Sequence, residues 1–530
     1  MAFFRAALAA ALLVAAPALI GLARPAAAQD VTLTSRDGQV EIGGTLLGFD
    51  GEFYRVDTIY GELTIDGSGV ICDGPGCPSL TGFVARIAFS GAGSMAETLL
   101  PALVEGFALR NGYVTERLPG RDARELHYTL STPEPLTEIA EFTFRATNTD
   151  EGFADLLANE ADIVMTTREI RLMEKALAQE AGMGDMTLPN RSRVVALDAI
   201  VPVISPENPV RSLSIPELAQ VFAGEIDNWQ MLDGQDAPIT LVMPDPQDGF
   251  AQAVSDRLMR PAGLSLSSGI QRPPDSRAVS RAVSVDPFAI GLVSFSAIGA
   301  ARPVMLTGPC GFEVAATRRA VKTEDYPLTA PLFLYLPARR LPTVARQFLA
   351  YASSPAAQLV IRRAGFVDLA PEHVSIADQG KRLANAIDAA GPETSLGDLQ
   401  EMVRTLSPLS RLTTTFRFET GSARPDAQSR SNVLQLAHAL EAGTYDMNRL
   451  LFVGFSDGEG PAEPNRAISQ RRASAVRDAV VAAAEESGLE RVTLETTGFG
   501  EALPMACDDS EWGRQVNRRV EVWIDGRGYR

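Results

Sequence analysis

Leu450-Leu451-Phe452-Val453-Gly454-Phe455 runs into Ser456-Asp457-Gly458-Glu459-Gly460, and Asn465-Arg466-Ala467-Ile468-Ser469-Gln470-Arg471-Arg472-Ala473 follows. The first stretch is an apolar run of strand length, the second a glycine-punctuated turn, and the third reads as a helix. A strand, turn and helix in that order can bring Asp457, at the strand end, together with Arg472 on the returning helix. Arg471 then lies about 100° around the helix axis and faces solvent.

Further on stand Gly498-Phe499-Gly500-Glu501 and Gly513-Arg514-Gln515-Val516-Asn517-Arg518-Arg519-Val520-Glu521-Val522. In order and spacing these segments resemble the OmpA-like peptidoglycan-associating family: a loop with serine-aspartate, then N-x-x-L-S-x-x-R-A, then an N-R-R-V-E strand. Ile468 replaces the leucine conservatively. The resemblance implies an OmpA-like α/β sandwich over residues 411–528 whose partner is peptidoglycan, bound through the diaminopimelate of its stem peptide. It implies that Asp457 takes the ammonium and Arg472 the carboxylate. Asn465 reads as the N-cap of the helix beside the ligand. Of Arg518 and Arg519, one borders the site and the other pairs with an acid; Arg519 is assigned to the site.

Upstream, residues 81–370 alternate short buried strands with amphipathic helices, the pattern of an α/β architecture. The segments Ala88-Phe89-Ser90-Gly91-Ala92-Gly93-Ser94-Met95, Ala161-Asp162-Ile163-Val164-Met165-Thr166-Thr167-Arg168 and Leu218 to Trp229 resemble periplasmic solute-binding proteins of the PstS-like, phosphate-binding type. This implies a two-lobed (type 2) periplasmic binding protein fold and an ABC-transporter-type solute site. A strand that ends in Ser-Gly-x-Gly-Ser before a helix can cradle an oxyanion, because free amides and the helix dipole converge there with hydroxyls. Ser90, Gly93, Ser94 and Met95 are the candidates, with Thr166, Thr167 and Arg168 closing the site from the same lobe. The second lobe departs from the family: Met243-Pro244-Asp245-Pro246-Gln247-Asp248-Gly249-Phe250 has none of the expected arginine, serine or threonine. Asp248 there would have to accept a proton from a protonated anion. Phosphate or a related small oxyanion is the expected solute; the alternative is an envelope scaffold whose two-lobed domain has lost its ligand. Asp198, after an apolar strand, reads more readily as a structural cap than as a cleft residue.

The flanks complete the layout. Residues 371–410 read as a helical linker. Residues 29–80 alternate apolar and polar positions between Asp-Gly and Gly-Gly turns, as a small β domain does. Within it Cys72-Asp73-Gly74-Pro75-Gly76-Cys77 is expected to close a local disulfide in an oxidising compartment. Cys310 and Cys507 read more readily as free thiols than as a bridge between domains. Residues 1–28 read as a signal peptide, with Arg5, an apolar run and Ala26-Ala27-Ala28 before Gln29. Export places the protein in the periplasm of a Gram-negative bacterium, associated with peptidoglycan and the outer membrane, where a further protein partner is open.

Of 530 residues, 66 are acidic and 48 are Lys or Arg, a net charge of −18, which makes nucleic acid a poor partner. The three histidines, His127, His373 and His438, are scattered, with His438 expected on an apolar helix face. No H-E-x-x-H, Walker lysine or paired-cysteine metal motif occurs. The sequence nominates no catalytic residue, no metal site and no cofactor, and a binding protein rather than an enzyme is expected.

Overall fold

The computed structural model describes residues 30–79, 82–188, 190–246, 249–418, 422, 424–484 and 489–525. The expected signal peptide and Asp248 lie outside them. Two compact units divide the chain, one through Phe83 and one from Val84 onward.

In the first unit five strands form one sheet in the order Gly61–Asp66, Phe53–Thr58, Glu41–Phe49, Val31–Ser35 and Val70–Asp73. Alternation puts Val31, Leu33, Tyr54 and Val56 into a small core, while Tyr60 stands exposed at a hairpin turn. A disulfide joins Cys72 and Cys77, with Cα atoms 5.8 Å apart. The loop between them requires Gly74: its φ is +122°, and a Cβ there would meet the Asp30 carbonyl oxygen at 2.5 Å.

The second unit begins with the two-lobed domain. Its sheet runs Thr240–Val242, Ala289–Ser294, Ser192–Ile204, Thr329–Tyr335, Ile163–Thr166, Ala85–Ala92, Leu136–Thr147, Glu125–Pro133 and Val114–Pro119. Strand Ser192–Ile204 is buried from Val194 to its end. Its first part pairs with Thr329–Tyr335, whereas Ile200 to Ile204 pair with Ser294 to Ile290, so a single strand passes from one lobe into the other. Strands Ala85–Ala92 and Ile163–Thr166 run parallel and end together at the cleft. Gly91 makes that possible: its φ is +136°, and a Cβ would stand 2.0 Å from the Met165 carbonyl oxygen.

The C-terminal domain has a five-stranded sheet in the order His373–Val374, Leu409–Arg417, Arg519–Asp525, Arg449–Phe455 and Thr493–Gly498. Helices Ala427–Glu441 and Ala462–Ala483 cover one face through Val433, Leu436, Val476 and Val480. The stretch expected to be a linker does form helices, Gly380–Asp388 and Leu396–Leu406. Their apolar positions Ala386, Leu399, Met402 and Leu406 pack on the other face, against Leu451, Val453 and Trp523. Spacings of three and four between these leucines and methionine supply one apolar helix face, which removes the segment from solvent.

Buried charge joins the parts. Glu521, fully buried, accepts hydrogen bonds from Arg382, from Arg519 at 2.8 Å and from the Trp523 indole at 3.1 Å. Arg411 Nε lies 3.4 Å from the same carboxylate, and Arg411 Nη1 donates to Asp325 of the two-lobed domain at 2.8 Å. Arg417 donates to the Glu324 carbonyl oxygen at 2.6 Å, and Glu169 accepts from the Ala427 amide at 2.9 Å. A disulfide joins Cys310 and Cys507, with Cα atoms 5.7 Å apart. This corrects the expectation of free thiols. Packing of the loop before helix Glu511–Asn517 on the two-lobed domain creates the proximity, and no local spacing announces it.

Burial alone would raise the Glu521 pKa, but Arg382, Arg411 and Arg519 outweigh it and hold the carboxyl well below the usual range. Its stabilising contribution is therefore complete above the ordinary glutamate pKa of 4.5 and is lost as pH falls below it. Denaturation at a series of pH values should show a shallower acid limb in Glu521→Gln than in the parent; identical limbs would remove this carboxylate from the acid transition. Peptide mapping of the non-reduced protein should recover Cys310 and Cys507 in one cross-linked fragment. The Cys310→Ser, Cys507→Ser double variant should lose roughly 2–5 kcal/mol of stability. Two alkylatable thiols in the folded, non-reduced protein would contradict the bridge.

Candidate functional site

The first site lies at the end of strand Arg449–Phe455. Gly454 and Gly498 let helix Ala462–Ala483 lie directly on the sheet: added Cβ atoms would meet the Ser469 carbonyl oxygen at 1.9 Å and the Gln470 amide nitrogen at 2.4 Å. This close approach sets Arg472 near the strand end that carries Asp457. Asp457 is 9% exposed and accepts from Arg518 Nη1 at 2.6 Å; Arg518 also donates to Glu511. Arg472 is half-buried, with its guanidinium carbon 5.4 Å from the centre of the Phe418 ring. It has no hydrogen bond or salt bridge to any described residue. Burial, with repulsion from Arg518 and Arg471, lowers its pKa against the pull of Asp457, so these charges form one electrostatic cluster. Arg471 is exposed.

Three readings change. Arg519 is fully buried, paired with Glu521 and lying over the Phe455 ring at 4.4 Å, so it cannot reach a ligand; Arg518 is the arginine that borders Asp457. Arg518 is the C-cap of helix Glu511–Asn517 and Arg519 the first residue of the strand, a boundary the sequence does not reveal. Asn465 is not the N-cap. Pro461 holds that position, and Asn465 sits within the helix, its side-chain nitrogen 3.3 Å from the Gly460 carbonyl oxygen. His438 is exposed on its helix rather than on the apolar face.

The second site is the cleft between the lobes. Ser94, Thr167, Asp198, Ser276, Ser294 and the Gly249-Phe250 turn line a cavity of ≈ 30 Å³. Helical runs start at its wall at residues 93, 250 and 276, where the first amides have no intrahelical partner, although Asp275 takes the Ala278 amide of the last. Asp198 accepts from the Ala199 and Phe295 amides at 2.8 and 2.9 Å and from the Ser294 hydroxyl at 2.7 Å. It therefore caps the turn as expected, and it lines the cleft as well. Burial pushes its pKa up to about 6, against these hydrogen bonds.

Of the expected cradle, Ser94 and Thr167 line the cleft, and Gly93 and Met95 belong to the first helical turn there. Ser90 turns away, donating to Asp155 at 2.5 Å, and Thr166 donates to the Arg168 carbonyl oxygen at 2.6 Å. Arg168 is no anion ligand. It donates to Asp150 and to Glu174, stands 3.6 Å from Asp256 and packs over the Phe153 ring. Carboxylates from several elements consume its charge, and none of them is its neighbour in sequence. Ser276 and Ser294 were missed; the signal for the first was Asp275, the N-cap that starts helix Ser276–Val285. Among the described lining residues the cleft offers hydroxyls, amides and one carboxyl, with no side-chain cation.

The comparisons with known proteins fall on the same two parts. Residues 129–356 match the PBP superfamily domain and residues 417–518 match the OmpA family. The chain is 24% identical over 272 residues to protein SphX of Synechococcus elongatus, covering 47% of this chain and 78% of that protein. It is 28% identical over 190 residues to the phosphate-binding protein PstS of Bacillus subtilis, covering 36% and 61%. Over 114 residues it is 34% identical to the peptidoglycan-associated lipoprotein of Pseudomonas putida, covering 21% and 63%. The chain thus spans less than two thirds of the last two proteins. It carries a PstS-like two-lobed binding domain and a C-terminal OmpA domain.

Arg519→Ala should destabilise the fold by roughly 3–5 kcal/mol, because it strands a buried carboxylate. Arg472→Ala should cost less than about 1 kcal/mol, the scale of a ring contact. Chemical denaturation measures both, and equal losses would make Arg472 a structural residue.

Proposed function

We propose that the chain is a binding protein of a Gram-negative envelope. Its C-terminal domain holds it to peptidoglycan near the outer membrane, and its two-lobed domain takes a small protonated oxyanion, phosphate first, in the periplasm. The names of two relatives support the pairing: one is a phosphate-binding protein, the other a peptidoglycan-associated lipoprotein. Nothing in either half calls for catalysis.

The observation that carries the anchor is Arg472, held beside Asp457 and Arg518 without an ionic partner among the described residues. A guanidinium so placed suits a carboxylate, and Asp457 can exchange part of its pairing with Arg518 for an ammonium. The free end of diaminopimelate in a stem peptide offers both groups. In the cleft, helix N-termini and hydroxyls supply the donors for an anion without a guanidinium. Asp198 accepts a hydrogen bond from an oxygen that still carries its proton. Hydrogenphosphate has such an oxygen and sulfate has none. A receptor fixed to the wall is hindered from diffusing to a membrane transporter, which favours local capture or sensing over shuttling.

Calorimetric titration of the full chain should show phosphate binding on the order of micromolar, with sulfate and the Asp198→Asn variant each at least about tenfold weaker. Co-sedimentation with purified sacculi should fall at least about tenfold in Arg472→Ala and be unchanged in Asp198→Asn. No heat from a folded sample would overturn the oxyanion reading and leave the two-lobed domain as an interaction surface. Full sacculus binding by Arg472→Ala would overturn the anchor assignment.

A further inference from the structure

A second cavity, of ≈ 430 Å³, lies where the two-lobed domain meets the C-terminal domain. Its volume falls within the range of small-molecule pockets. The two-lobed domain contributes Arg257, Glu324 and Tyr326 to its wall, and the C-terminal domain contributes Asp426, Gln428 and Trp512. It is separate from both sites described above, because neither Arg472 nor any residue of the interlobe cleft lines it.

Its polar groups are left incomplete by the protein. Gln428 is 3% exposed; its side-chain nitrogen donates to Asn432 at 3.0 Å, but its Oε1 has no partner. Arg257 donates through Nη2 to the Thr167 carbonyl oxygen at 3.2 Å, while its buried Nε has none. Glu324 adopts a left-handed φ of +57°, a conformation glutamate seldom takes. It is held there by the bond from Arg417, itself part of the cavity wall, to its carbonyl oxygen and by the pairing of Asp325 with Arg411. Its own carboxylate lies 3.9 Å from Arg417 Nε, whose guanidinium is already committed to the Val516 and Glu324 carbonyl oxygens. Burial pushes the Glu324 pKa up to about 8; Arg417 and, less strongly, Arg257 offset this in part, and Asp426 and Asp325 add to it. A backbone in an unfavourable conformation and buried polar atoms without partners are features that persist where function retains them.

The unmet needs have a definite sign. Arg257 Nε lacks an acceptor and Gln428 Oε1 lacks a donor, while the Glu324 carboxylate, 3.9 Å from Arg417 Nε, shares the wall with Asp426, which accepts from the Ser429 amide. The apolar remainder of the wall is aromatic, with Tyr326, Phe333 and Trp512. We propose that this interdomain cavity binds a small zwitterion of the α-amino-acid type, its carboxylate on Arg257, its ammonium among Glu324, Asp426 and Gln428 Oε1, and an apolar or aromatic side chain against the rings. Because Arg257 also bonds the backbone of Thr167, a residue of the cleft wall, an occupant would touch the same peptide that lines the solute site.

The test is titration of the full chain with L-phenylalanine and L-leucine, using 3-phenylpropanoate and 2-phenylethylamine as the two half-ligands. At least one amino acid should bind, and where it is phenylalanine it should bind at least about tenfold tighter than either half-ligand. Glu324→Gln and Gln428→Met, which keep side-chain size, should each weaken it by at least about fivefold while leaving sacculus co-sedimentation unchanged. Trp512→Phe serves as a third variant should either of these fail to fold. Absence of binding at millimolar concentration, or equal binding by the folded variants, overturns the proposal and leaves the cavity filled by water alone.

Discussion

Glu521 is the point on which the second unit turns. One carboxylate with no exposure accepts from the connector through Arg382, from its own strand through Arg519 and Trp523, and faces Arg411, which reaches across to Asp325. A charge buried this deeply is tolerable only with all its partners in place. The sheet, the connector and the two-lobed domain must therefore arrive together, and the Cys310–Cys507 bridge fixes the same junction covalently. The network explains why the apparent linker is part of the C-terminal domain and why that domain is seated on its neighbour.

A chain built this way places two recognition tasks in one body with different physics. At the end of strand Arg449–Phe455 the proposed site gathers full charges, the buried Asp457 carboxylate with the Arg518 and Arg472 guanidinia. In the cleft the groups are amides, hydroxyls and one carboxyl whose pKa burial raises, so the proposed discrimination rests on where protons sit. The one cation that sequence offered for the cleft, Arg168, is committed to Asp150 and Glu174.

How far the sequence could be read follows from which physics each residue obeys. The local disulfide, the strand-turn-helix around Asp457 and the alternating pattern of residues 81–370 depend on neighbours in sequence, and they were legible. Arg168 was not, because a sequence shows a charge but not the Asp150, Glu174 and Asp256 that surround it in space. Arg518 and Arg519 were exchanged for the same kind of reason: one caps a helix beside Asp457 and the other opens a buried strand, and only packing decides where that boundary falls. Asn465 looked like a cap because it precedes an obvious helical run, yet the helix starts earlier, after Pro461. The long bridge between Cys310 and Cys507 and the interdomain cavity arise from domain docking, of which no local pattern speaks.

The central claim is that one chain holds the wall and a solute at the same time. Its most direct test is a phosphate titration of the protein already bound to purified sacculi. The account predicts the same affinity as in free solution, since the anchor and the cleft use separate residues. Sacculus-bound protein that takes up no phosphate, when the free protein does, would contradict it.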